Sequence, residues 1–170
     1  MSKNLFLVRY NANGDLAWAR AITGGNSFIT GPYARGIAVA PDGTINLAIS
    51  TSGENRFGSV RHVTSETRYV PLHALFNVET LIARYSPAGE FLSVKRVATF
   101  VDVEAIGCDA TGHVILTGAF KGQASGRLEG VAEFGAARAS TTRSADGRLT
   151  EDIFVARYKP NFELDWLRQA

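Results

Sequence analysis

The chain of 170 residues holds a single cysteine, Cys108, so no intramolecular disulfide can brace it. No apolar run approaches the roughly 20 residues that a helix needs to span a bilayer. No block of like charge is present, because 18 basic side chains are interleaved with 16 acidic ones. Recognition of nucleic acid calls for a clustered basic stripe, so the pI of 8.8 describes a mixed solvated surface and no nucleic-acid partner is expected. Met1 to Asn4 run straight into Leu5-Phe6-Leu7-Val8, without the charged and apolar regions of a secretory leader, and no signal peptide is expected. A hydrophobic content of 45% with a net charge of +2 excludes a disordered chain. The composition is equally unlike a coiled coil or collagen. At this length one core can be buried, whereas two separate domains would each be small, so residues 1–170 are read as one domain.

What the chain does have is internal repetition. Residues Asn4 to Ile22 (NLFLVRYNANGDLAWARAI), Thr80 to Ala98 (TLIARYSPAGEFLSVKRVA) and Asp152 to Ala170 (DIFVARYKPNFELDWLRQA) align on Tyr10, Tyr85 and Tyr158, spaced 75 and 73 residues apart. An arginine precedes each tyrosine: Arg9, Arg84 and Arg157. An acid follows five residues later (Asp15, Glu90, Glu163) and a base ten residues later (Arg20, Lys95, Arg168). Trp18 and Trp166 are equivalent, with Ser93 in their place in the middle copy. A second unit, Gly36 to Ser50 and Ala105 to Ala119, alternates with the first. The order is therefore X, Y, X, Y, X.

Each unit reads as a hairpin. Two short runs rich in Val, Ile, Leu, Phe and Tyr flank a turn signal, such as Asn11-Ala12-Asn13-Gly14, Pro41-Asp42-Gly43 or Ser86-Pro87-Ala88-Gly89. Lys159-Pro160-Asn161-Phe162 lacks the glycine, and Asn161 is the expected left-handed substitute. The continuous apolar runs Leu5–Val8 and Ile153–Ala156 predict strands buried on both faces. No helical period is sustained, which gives about ten strands and little helix.

These residues resemble the β-propeller repeats of the SBBP type. Gly36-Ile37-Ala38-Val39 and Leu116-Thr117-Gly118 match that family's first hairpin, Phe57-Gly58 and Phe134-Gly135 its connection, and Asp152 to Tyr158 with Trp18 and Trp166 its second hairpin. Ala40, Thr44, His113, Asn46 and Ile115 depart from the pattern, and Ser59 to Val78 is an insertion relative to it. The resemblance implies an all-β fold in which a Y and the following X make one four-stranded blade. Residues 36–98 and 105–170 would be blades and residues 1–22 a half blade, an incomplete ring, since closure takes four to eight blades. A fragment of a longer propeller, copies that associate to cover open blade faces, and a two-sheet β-sandwich are the three ways to accommodate that count.

The chemistry-bearing residues are sparse. His62, Arg68, Tyr69 and His73, in the long connection Ser52 to Val78, form the one candidate ligand-binding cluster. His62 and His73 lack an evident third ligand, and no metal or other cofactor is expected. A hairpin turn accounts for Asn11 to Asp15 without calcium, which would want more carboxylates. Cys108 sits in a strand-like run as an inert thiol, and no nucleophile elbow or phosphate loop is present. The three arginine–tyrosine pairs and the tryptophans read as repeat framework. The expectation is a non-catalytic interaction or scaffolding module, a homo-oligomer or one joined to further repeats. A carbohydrate or small-ligand module on the blade loops, with a protein or glycan partner, is the alternative.

Overall fold

The structure, a computed structural model, describes residues 4–24, 32–64, 79–121, 131–142, 144–147 and 150–170. Among them are fourteen strands in three antiparallel sheets and no helix. The X segments are the hairpins β1–β2 (Asn4–Tyr10, Leu16–Gly24), β7–β8 (Glu79–Tyr85, Phe91–Thr99) and β13–β14 (Glu151–Tyr158, Leu164–Gln169). The Y segments are β3–β4 (Tyr33–Val39, Ile45–Thr51) and β9–β10 (Asp102–Cys108, Val114–Lys121). All three X hairpins close the same way: Gly14, Gly89 and Phe162 each donate a backbone N–H to the residue just after the tyrosine. All three also shift register between the arginine and the tyrosine, a bulge that re-aims those two side chains.

β4 pairs with β7, and β10 with β13, so each Y joins the X that follows it. Four further short strands exceed the expected ten. They are the hairpins β5–β6 (Glu54–Phe57, Val60–Val63) and β11–β12 (Val131–Phe134, Ala137–Ser140). Their turns are Gly58-Ser59 and Gly135-Ala136, each glycine at φ 62°, as the first central residue of a II′ turn requires. The long connections expected to be irregular thus carry regular structure. Each short hairpin pairs backward, β5 onto β2 and β11 onto β8. The sheet orders are β1-β2-β5-β6, β12-β11-β8-β7-β4-β3 and β14-β13-β10-β9. Three sheets stand where a sandwich has two.

The core lies at the two sheet junctions. Leu7, Ile22 and Phe57 of the first sheet pack on Leu81, Ala83 and Tyr85 of the middle one. Ala48, Ile82 and Val97 on the opposite face of the middle sheet pack on Phe154, Ala156 and Tyr158 of the third. Each X hairpin therefore has a tyrosine face and an arginine face, and at both junctions the arginine face of one sheet meets the tyrosine face of the next. β4 is buried along its whole length because the middle sheet is covered on both sides.

The outer sheets are not, and this corrects the reading of the apolar runs. Phe6 is 80% exposed and Ile153 58% exposed, because among the described residues no sheet stacks on those sides. Tyr10 is 63% exposed while its equivalents Tyr85 and Tyr158 are 2% and 0% exposed. The hydroxyl of Tyr158 donates to the Val97 carbonyl at 3.0 Å across the second junction. Tyr158→Phe removes that bond, leaves the Val97 carbonyl with the Gly135 N–H at 3.2 Å, and should cost about 1 kcal/mol. A lower urea midpoint at unchanged slope checks it, whereas Tyr10→Phe should leave the midpoint in place.

Candidate functional site

The sequence-selected cluster divides. His62 lies on β6, with Nε2 2.8 Å from Oε2 of Glu79 at the start of β7. The Glu79 side chain is almost fully buried, and Arg96 Nη1 donates to its Oε1 at 3.1 Å. A buried carboxylate needs such partners, so His62 ties the first sheet's short hairpin to the middle sheet. Arg68, Tyr69 and His73 lie outside the described residues.

The arrangement the structure does build is a repeated grip at the sheet junctions. At the first junction Arg9 Nη1 donates to the Pro87 carbonyl at 2.6 Å, and Trp18 Nε1 donates to the same oxygen at 3.2 Å. Arg20 Nε donates to the Gly89 carbonyl at 2.6 Å. The acceptors all belong to the turn of the next X hairpin. At the second junction Arg84 Nη1 donates to the Pro160 carbonyl and Lys95 Nζ to that of Asn161 at 3.4 Å. These are the same repeat positions acting one unit further on. A charged donor on a neutral carbonyl makes a stronger bond than a neutral one, so the grip fixes the order in which sheets stack.

The aromatic component changes sides between the junctions. The Trp18 ring covers Gly89 so closely that a Cβ there would come within 2.6 Å of it. In the second junction Ser93 occupies the tryptophan position and Phe162 the glycine position. Phe162 therefore adopts φ 66°, correcting the expectation that Asn161 would take the left-handed conformation. A left-handed non-glycine residue costs about 1–2 kcal/mol. Burial of the ring and the Arg84 guanidinium 3.9 Å from its centroid offset that cost.

The third copy of the grip holds no turn. Arg157 Nε and Nη2 donate to Asp109 Oδ2 at 3.1 and 2.6 Å, and Nη1 donates to Asp165 at 2.6 Å. The Thr111 hydroxyl and this guanidinium hold the Asp109 carboxyl far below the usual carboxylate range. Trp166 is half-buried and Arg168 exposed, its guanidinium 5.9 Å from the Trp166 ring centroid, as Arg20 is 5.6 Å from that of Trp18.

Two other features bear on ligand chemistry. A cleft of about 270 Å³ lies between the Y turns and Pro160, with Asp42, Thr44, Arg84 and Thr111 among its lining. That is just below the range of about 300–1,000 Å³ usual for small-molecule sites. Burial pushes the Cys108 thiol up, which keeps it protonated at neutral pH, and Asn46 Nδ2 lies 3.4 Å from its sulfur. Among the described residues no three His, Cys, Asp or Glu side chains group as metal ligands. Among the described residues no helix is long and apolar enough to cross a membrane.

No protein-family model matches this chain, and no curated protein does. The grip is the arrangement that the sequence reading does not single out as a site. Its signal was present in the fixed offsets of arginine, tryptophan and base from each tyrosine, which were assigned to framework alone.

Two outcomes are expected. Phe162→Gly should lose about 1–3 kcal/mol, the cavity cost less the relieved strain, and Ser93→Trp added to it should restore most of that. Chemical denaturation of the four variants of the cycle measures the coupling. A carboxyl held low in the folded state stabilises above its unfolded value, and that contribution is lost as pH falls through the folded one. Stability of the wild type should therefore drop below the ordinary aspartate range, and Asp109→Asn should flatten part of that slope in urea titrations across acidic pH.

Proposed function

We propose that this protein is a non-catalytic interaction or scaffolding module of propeller-type repeats that associates through its two open sheet faces. β3-β4-β7-β8 and β9-β10-β13-β14 would be its blades and β1–β2 a half blade. The observation that carries this reading is the exposure of Phe6, Tyr10 and Leu16 on one outer face and Ile153 on the other. At the two internal junctions the equivalent positions are largely buried: Leu81 and Phe154 for Phe6, Tyr85 and Tyr158 for Tyr10, and Thr80 for Ile153. Each outer face is thus half of a junction whose other half is a surface of the same repeat type. Burying apolar surface at about 25 cal/mol per Å² gives the driving force. On the third sheet's open face Arg157 uses three of its five N–H donors within the chain, so that face offers packing together with the remaining donors.

The partner under this reading is a further copy or a further run of repeats. Light scattering on the purified chain is expected to give a concentration-dependent mass above 18.3 kDa. A strictly monomeric, well-folded species up to about 100 μM would overturn the association, since stable interfaces bind at or below micromolar concentration.

A further inference from the structure

Resting on that reading, we propose that the partner is a second copy of this chain bound head to tail. The arginine face of the third sheet takes the tyrosine face of the partner copy's first hairpin, with the turn Asn11–Gly14 seated in the grip of Arg157, Trp166 and Arg168.

The chain performs this contact twice on itself. Leu7 and Ile22 receive Leu81 and Tyr85 at the first junction, and Ile82 and Ala48 receive Phe154 and Tyr158 at the second. In a third junction of the same kind, Ile153 and Val155 would receive Phe6, Val8 and Tyr10. The turns follow the same rule. Pro87 and Gly89 accept from Arg9, Trp18 and Arg20. The matching acceptors in the free turn are the carbonyls of Ala12 and Gly14. Of the five N–H donors of Arg157, the bonds to Asp109 and Asp165 occupy three. The remaining two, the Trp166 Nε1–H and the Arg168 guanidinium are the donors for those carbonyls.

The aromatic pairing selects the occupant. A tryptophan on the grip meets a glycine on the turn at the first junction, and a serine meets a phenylalanine at the second. Trp166 requires glycine. The turn that remains unseated has Gly14, at φ 89°, and a Cβ built there meets nothing within 4 Å. A bulky residue at position 14 would have suited a serine grip instead. Head and tail are thus matched by the rule that distinguishes the two internal junctions.

Head-to-tail contacts either close or propagate. Two copies in a closed pair bring six sheet positions, three from each, within the four to eight that complete a propeller ring.

The test separates head from tail. Phe6→Glu with Tyr10→Glu disables the head, and Trp166→Glu with Arg168→Glu disables the tail. In sedimentation each variant alone should self-associate at least about 30-fold more weakly than wild type, the loss of an aromatic anchor. An equimolar mixture should recover a one-to-one pair through its one intact junction, which also reports that both variants are folded. Either variant associating alone as wild type does, or a mixture that stays monomeric, overturns the head-to-tail contact. A second arm tests the pairing rule: Gly14→Phe should abolish association and Trp166→Ser added to it should restore it. Absence of that rescue overturns the rule. A monomeric wild type refutes the association reading itself, whereas an associated wild type with both variants unaffected refutes only this geometry.

Discussion

The sheets stack in one sense only, and that polarity governs the rest of the molecule. The tyrosine face of a hairpin is apolar and aromatic, while the arginine face combines apolar strand residues with long cations at its rim. Neither face suits a copy of itself. Two arginine faces would bring Arg84 against Arg157-type neighbours, and like charges at an interface are costly. Two tyrosine faces would leave the turn carbonyls without donors. Stacking one kind on the other buries Leu81 and Tyr85 completely or nearly so, while seating the Pro87 and Gly89 carbonyls on charged donors. Packing supplies the energy of the junction and the grip supplies its direction.

The same polarity explains where strain is tolerated. Phe162 is one of two non-glycine residues at positive φ among the described residues, and it sits where the neighbouring hairpins have glycine. The junction needs one ring at this level. Where Ser93 supplies none, the ring comes from the opposite side and the backbone absorbs the cost. The Arg84 guanidinium, partly desolvated and with its pKa lowered by burial, lies over that ring and completes the arrangement.

Much of the architecture was legible because hairpins are local. Each X and Y segment carries its turn residues and its apolar runs within about twenty residues, so both strand pairing and all-β character follow from the text. The short hairpins were not legible as strands. Glu54–Phe57 and Val131–Phe134 have four residues each and borrow their sheet from a strand far back in the chain. No local pattern announces a long-range edge pairing. Leu5–Val8 departs from its expected burial for a related reason: an apolar run reports what a strand could cover, and among the described residues nothing covers Phe6. Of the candidate site, the contact of His62 with Glu79 is not legible in the sequence, since Glu79 lies seventeen residues further on and is recognisable as buried only in three dimensions.

The backward pairing of the short hairpins has a consequence for how the molecule comes apart. β5–β6 arises from the chain between β4 and β7, yet it finishes the sheet of β1–β2, and β11–β12 does the same for β8. Sequence units and sheets are therefore out of phase, like courses of overlapping tiles. Any cut between repeats leaves at least one sheet short of strands that the other piece carries away. Loosening one sheet also strips the finishing hairpin from its neighbour, so the three sheets share a single cooperative transition rather than three separate ones.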